Sequence, residues 1–403
     1  MAKSKKIRKR RQAEITLEPD GFSIHTFELS MKLSKSEWKK CKQRLFADQE
    51  ETGEHWIYLD KQSGHYICTR YADAGIRIRL ERNDTGKDKN THFIRMIVNP
   101  RKLVYPQSGY LGILPPDEGS FELLEKTFRH LFRKTSFEND MRRYYLTRVD
   151  LCTNIRCSNK KVFRELVRLL RETATPKKYE RRFYQHKDRK KANKYNKHCI
   201  QIACGSQELV SYDKTYQMDE NDLAVAYEGL PASVLRIEVH YSRDKIKSIE
   251  KDAGIDDPLD ILWLLIQESK PRILKLVEKC YPQLDYVAYD EAQKRIEQSS
   301  FKPDTRERML TLLNQMLRKQ SIDAMLHGMA RQGVPTERLL EKFEKLGINP
   351  IPLRKKDMPH SACQVWQRFC GQLVKIRFTC NYPNRNGNNC SFYVFFGLIS
   401  IVI

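Results

Sequence analysis

Three short stretches limit what this chain can fold into: 148–154 (RVDLCTN), 209–214 (LVSYDK) and 235–241 (LRIEVHY). Each alternates apolar and polar side chains, the period of a strand with one face in a core. The polar positions hold Asp150, Tyr212 with Lys214 two residues on, and Glu238. Once such strands pair, the two carboxylates and the phenol fall on one face of a sheet. Two acids can hold a divalent cation, and a tyrosine beside it can attack a phosphodiester.

The charge balance says what is bound. The chain carries 74 Lys and Arg against 51 Asp and Glu, a formal charge of +23. That excess goes far beyond what solubility needs and points to a polyanion, most simply nucleic acid. Part of it lies in a leader, residues 1–20, whose positions 3–11 are almost solid Lys and Arg; it reads as a disordered arm lying on phosphates, and a nuclear-import reading uses the same residues. More lies in a loop, residues 176–198, with Lys177, Lys178, Arg181, Arg182, Lys187, Arg189, Lys190, Lys191, Lys194 and Lys197 interleaved with Tyr179, Phe183, Tyr184 and Tyr195. Cations that neutralise phosphates, with rings that stack on bases, make a single-strand-binding pattern. Eleven scattered cysteines without a CxxC fit thiols in a reducing cytoplasm. No apolar stretch is long enough to span a bilayer, so no membrane partner is expected.

The element order predicts an α+β fold: an antiparallel sheet with helices packed on one face, followed by a smaller all-α domain. Strands are expected over 21–33, 55–60, 65–71, 75–81, 92–98, 144–154, 199–203, 208–213 and 234–241. A capping box at Ser34 and Glu37 should open a helix running toward Asp48. Further helices are expected over 121–132 and after Ser158. From residue 256 the periodicity turns helical, with segments over 261–266, 273–277, 309–317, 322–329 and 336–346. The domains expected are a basic arm over 1–20, a catalytic unit over 21–250, a helical unit over 256–350 and a C-terminal tail over 351–403 that is nearly all apolar from 391. The turn at 332–335 suggests a helix–turn–helix. DNA, a host helicase and a second copy of the chain all stand as partners for the helical unit.

Several machineries are absent from the sequence. There is no Walker motif, no dinucleotide fingerprint, no nucleophile elbow and no zincin motif. No two histidines stand two residues apart, so the His-apolar-His strand of common nickases is missing as well. Carboxylates and tyrosine remain. Four stretches in order, 93–103 (FIRMIVNPRKL), 147–151 (TRVDL), 210–214 (VSYDK) and 235–239 (LRIEV), give the chain a likeness over about residues 90–245. Across them it resembles the replication initiation factors of rolling-circle plasmids, a family similar to filamentous-phage replication proteins and to relaxases of conjugative elements.

The resemblance implies site-specific nicking and rejoining of origin DNA in a bacterial cytoplasm. Tyr212 matches the nucleophile, Lys214 follows it, and Asp150 and Glu238 match the metal-holding carboxylates for Mg²⁺ or Mn²⁺. The family often has a further acid where Asn154 stands, leaving a neutral oxygen ligand there. The product implied is a 5′-phosphotyrosyl link with a free 3′-hydroxyl primer. Arg95 is expected to hold the sheet or a phosphate, and Arg148 and Arg236 to contact DNA or pair with the two acids. A conjugative relaxase of the same chemistry, a non-enzymatic DNA-binding regulator and an RNA-binding protein are the alternatives.

Overall fold

The computed structural model describes residues 17–352 apart from 20, 84–90, 108, 136, 158–159, 186, 222–232, 282–283, 285 and 319–320. The basic arm up to residue 16, Ser158 and the C-terminal tail from 353 therefore lie outside the described residues.

Among the described residues, alternation builds one antiparallel sheet of eleven strands. β1 (Leu17–Pro19) and β2 (Ser23–Leu33) lead into α1 (Lys35–Thr52), then β3 (Ile57–Asp60), β4 (His65–Cys68), β5 (Ile76–Asn83) and β6 (Thr91–Val98). Helices α2 (Pro100–Val104) and α3 (Glu118–Phe132) connect to β7 (Tyr145–Cys157). After α4 (Lys160–Glu172) come β8 (Glu180–Arg182), α5 (Arg189–Asn196), β9 (Cys199–Cys204), β10 (Gln207–Asp213), α6 (Lys214–Asp219) and β11 (Ser233–Ser242). The spatial order is β3-β4-β5-β6-β2-β7-β11-β10-β9-β8, with β1 continuing beside the far end of β7.

This order contains one plan used twice. A long strand (β2, then β7) is followed by a helix (α1, then α4) and by four strands whose last returns to pair with the first. The two long strands pair with each other in the middle. The expected capping box starts α1: Ser34 Oγ accepts from the Glu37 N–H at 3.2 Å, and Glu37 Oε2 accepts from the Ser34 N–H at 2.7 Å.

One sheet face is sealed by helices. Trp38 and Leu45 of α1, Phe163, Leu166 and Leu170 of α4, and the strand residues Phe27, Val149, Leu151, Leu209, Ile237 and Val239 share one core. α7 (Arg243–Ala253), α8 (Pro258–Gln267) and α9 (Ser269–Cys280) join the same side. Just past α9, the Tyr281 hydroxyl donates to Ser211 Oγ at 3.2 Å from that face. α10 (Tyr289–Glu297), α11 (Pro303–Leu317), α12 (Ile322–Arg331) and α13 (Thr336–Lys345) follow, mostly packed on one another.

Two expectations change here. The helical region does not begin as a separate body at 256, because Leu262, Leu265, Ile273 and Val277 are buried in the sheet's own core. Nor are residues 176–198 a plain loop, since they form the edge strand β8 and helix α5, the latter capped by Asp188 Oδ1, which accepts from the Lys190 N–H at 2.8 Å. Among the described residues no helix is long and apolar enough to cross a membrane.

Candidate active site

The face away from that core collects the chemistry, and strand register decides which residues meet. Tyr212 pairs across β10 and β11 with Arg236, and Val210 pairs with Glu238. On the other side of β11, Glu238 pairs with Cys152 and His240 with Asp150. Directly opposed residues in an antiparallel sheet point the same way. Tyr212, Glu238, His240, Asp150 and Arg148 therefore project together, as the alternating segments predict.

Their contacts form a connected network. The Tyr212 hydroxyl donates to Glu238 Oε1 at 2.8 Å. The same oxygen lies 3.0 Å from His25 Nδ1. His240 Nε2 lies 2.9 Å from Glu238 Oε2 and 3.9 Å from Asp150 Oδ1, and its Nδ1 lies 3.3 Å from Glu208 Oε2. Arg148 Nε donates to Asp150 Oδ1 at 2.7 Å, and Thr26 donates to Asp150 Oδ2. A cavity of about 300 Å³ opens over the group, lined among others by His25, Arg148, Asp150, Tyr195, Tyr212 and His240.

His25 arrives by an irregularity. Ile24 pairs with Leu151 and Thr26 with Asp150, so His25 is the extra residue of a bulge in β2. The bulge aims His25 and Thr26 at the polar face together, which strict alternation forbids.

The electrostatics follow from burial and from this pairing. Burial alone would raise the Glu238 carboxyl, but the neighbouring imidazoles, His25 first and then His240 by its hydrogen bond, hold it well below the usual range. For His240, burial works against charge, and Glu208, Glu238 and Asp150 outweigh it, raising the imidazole to about 10. Burial lowers His25, leaving it a neutral N–H donor. Burial first, then the charge of Glu238, pushes the Tyr212 phenol well above 10, while Arg236 pulls it back. At neutral pH the site thus holds a protonated phenol on an ionised carboxylate, with an imidazolium beside it.

Lys214 is not on a strand face as expected. It is the first residue of α6, and its Nζ donates to Gln217 Oε1 at 2.8 Å while lying 6.0 Å from the centre of the Tyr212 ring. Burial and the nearby Arg236 lower it to about 7.

The remaining sequence candidates divide by burial. Arg236 has no exposed surface; its Nε donates to Asn154 Oδ1 at 2.7 Å and its Nη2 to the Leu111 carbonyl at 3.1 Å. A side chain so enclosed does not reach a phosphate of bound DNA, which removes it from the DNA-contact set and makes it the internal cation beside the phenol. Asn154 is spent on the same pair, its oxygen on Arg236 and its Nδ2 on the Leu111 carbonyl, so it is not brought to the cluster. Arg95 holds the sheet, with Nη1 3.1 Å from Glu28 and Nε 2.7 Å from Glu81. Arg181 is also structural, bonding the carbonyls of Arg171 and Thr173 and pairing with Asp323.

Other cations of residues 176–198 face solvent. Lys177 pairs with Glu337, Arg182 with Glu180 and Lys194 with Glu220, all at exposed positions, and Lys178, Lys190, Lys191 and Lys197 are exposed. Phe183 and Tyr184 are 63% and 42% exposed, and the Tyr184 ring sits 4.7 Å from that of Tyr195, which lines the cavity.

The placed donors do not make the cation site that the resemblance implies. Each carboxylate oxygen of Asp150 and Glu238 has a protein donor or imidazole against it, and among the described residues no three His, Cys, Asp or Glu side chains are arranged to hold one metal ion. His240 Nε2 stands between the two acids, 2.9 Å from Glu238 and 3.9 Å from Asp150.

Sequence reasoning missed His240, Glu208 and His25. The first two were legible, since His240 stands two residues after Glu238 and Glu208 four before Tyr212 on the same strand faces. No protein-family profile matches the chain, and no curated protein matches it.

Proposed function

We propose that the chain is a DNA strand transferase that nicks and rejoins origin DNA, as the initiator of rolling-circle replication of a plasmid, phage or other mobile element in a bacterial host. The observation that carries this reading is the phenol of Tyr212 hydrogen-bonded to Glu238 at the wall of a cavity that Asp150, His240 and Arg148 also line. The hydroxyl thus sits on an ionised acid inside a charged pocket, a partner that can take its proton. The exposed rings and cations of residues 180–197 lead up to it, as a single strand would require.

The chemistry divides among the chain's own groups. A strand in the cavity presents a phosphodiester to the Tyr212 oxygen, and as the O–P bond forms the phenolic proton passes to Glu238. Arg236 stabilises negative charge developing on the phenol oxygen. Arg148, half exposed at the cavity edge, binds the non-bridging oxygens. The bond to the 3′ oxygen breaks, and the His240 imidazolium supplies the proton that the leaving oxygen takes up. The phosphotyrosyl link conserves the bond, so rejoining runs the same steps backward without a nucleotide.

The test is a nicking assay on supercoiled DNA and on a labelled single-strand library, run on denaturing gels with Mn²⁺ and with chelator. Wild-type protein should give a covalent adduct, and Tyr212→Phe should give none while melting at the same temperature. An adduct that survives in the phenylalanine variant sinks the assignment of the nucleophile. Tight DNA binding with no adduct from either protein would leave a binding regulator in place of an enzyme.

A further inference from the structure

The repeated plan leaves half of the polar face without a described role. In the second half, α5, α6 and the stretch through Leu111 crowd the face around Tyr212. In the first half, the face formed by β2, β6, β5, β4 and β3 stays open among the described residues. Register puts Lys32, Arg95, Arg77, Arg79, Ile67 and Tyr58 on it. Lys32, Arg77 and Arg79 are exposed, and the charge of Arg79 reaches Asp60 at the edge of the face. The acids on this face lie lower or are occupied: Glu28 and Glu81 are drawn onto Arg95, and Asp60 is bonded by Ser63. Its outer layer is therefore basic.

Two observations choose the occupant. Tyr58 is 52% exposed on the same face as the guanidinium groups, with Ile67 directly opposite on the next strand. A duplex meets such a surface through phosphates alone and has no use for an exposed ring and an apolar neighbour, whereas a single strand stacks its bases there. The face also runs into the cavity without a break. Arg77 pairs directly with Ile97, which lines the cavity, and Ile97 pairs with Glu28, which lines it too.

The geometry points to the open face of β2–β6 as a track for single-stranded DNA, carrying the strand across Arg77 and Arg79 to or from the Tyr212 cavity. The direction of that path rests on the proposed function, whereas the binding itself does not.

The test uses the full chain and a fluorescent mixed-sequence 30-mer, with affinity followed by anisotropy across a salt series. The double variant Arg77→Glu/Arg79→Glu should bind about tenfold or more weakly, and its salt slope should fall by about 1.4, the value for two lost phosphate contacts on a single strand. Lys247→Glu/Lys251→Glu, on exposed positions of α7, makes the same change in net charge on the helix side and should keep the wild-type slope. A photoreactive benzoylphenylalanine at position 58 should crosslink to the 30-mer, and a blunt duplex should compete poorly for that crosslink. Equal losses in the two double variants, no crosslink, or equal competition by duplex would each overturn the proposal. Running the series in Tyr212→Phe protein as well makes the result independent of cleavage: a track can stand where the nicking assay fails, and nicking can stand where the track fails.

Discussion

Lys214 and His240 flank the phenol, and burial disfavours the charge of both, but only His240 has acids enough around it to reverse the effect. His240 is raised to about 10 because Glu208, Glu238 and Asp150 surround it, so between its unfolded value near 6.5 and 10 the folded state holds a proton that the unfolded state lacks. Its contribution to stability is full below 6.5 and is lost as pH rises toward 10. Lys214 is lowered to about 7, so between 7 and 10.5 the unfolded state holds the extra proton. Its burial costs most below 7, and stability recovers as pH rises. Over pH 7–10 the two slopes oppose and nearly cancel, each about 1.4 kcal/mol per pH unit. Wild-type stability should thus be nearly flat from pH 7 to about 8.5 in urea melts at stepped pH, below the range where the buried thiols of Cys68, Cys152, Cys199 and Cys280, all raised, add a slope of their own. Lys214→Met should unmask stability that falls with pH, and His240→Gln stability that rises. Parallel flat profiles in both variants would show that these two side chains are not the buried charges described here.

At the level of elements, the contrast lies between what alternation encodes and what a turn or bulge decides. Alternation alone put Tyr212, Glu238 and Asp150 on one face, and the capping box alone started α1, because both are local rules whose residues meet at fixed spacing. His25 could not be placed, since one inserted residue in β2 reverses the facing of everything before it. Lys214 was misplaced for a related reason: Asp213 caps a new helix by accepting from the Tyr216 N–H, ending the strand one residue earlier than its pattern suggests. The segment 176–198 read as a loop because its charges hide the short helix that Asp188 caps. As an element it presents Phe183 and Tyr184 outward. Phe183→Ala and Tyr184→Ala should each weaken single-strand binding by about 1–3 kcal/mol, roughly five- to 150-fold, without changing the melting temperature. A loss seen only together with unfolding would make the rings packing residues.

For the whole molecule, the twofold plan explains why the charged cluster sits where it does, and the helices explain why it stays rigid. The cluster straddles the seam between the halves: His25 and Thr26 come from the first long strand, Asp150 from the second, and Glu238 and Tyr212 from the strands beyond. A seam holds its residues only if both sides are braced from behind. Behind β2, β7, β10 and β11 that bracing comes from α8 and α9, whose Leu262, Leu265, Ile273 and Val277 are buried against the sheet. Composition hides this, because the change to helical periodicity at 256 looks like a domain boundary, although the apolar faces of these helices have no core but the sheet. Exposing those four side chains and the strand residues beneath them would forfeit about 1.5–3 kcal/mol for each, on the scale of a domain's entire stability. A chain ending at residue 255 should therefore fail to fold, giving an aggregated or molten product with no cooperative melt and no dispersed amide spectrum. One ending after residue 281 keeps α8, α9 and Tyr281 on Ser211 and should regain a cooperative transition, though below that of the full chain because Thr175 and Arg181 lose Asp323 of α12. A sharp melt from the shorter chain would mean that the sheet is braced by α1, α4 and α7 alone, and that the helices after 256 form a unit of their own.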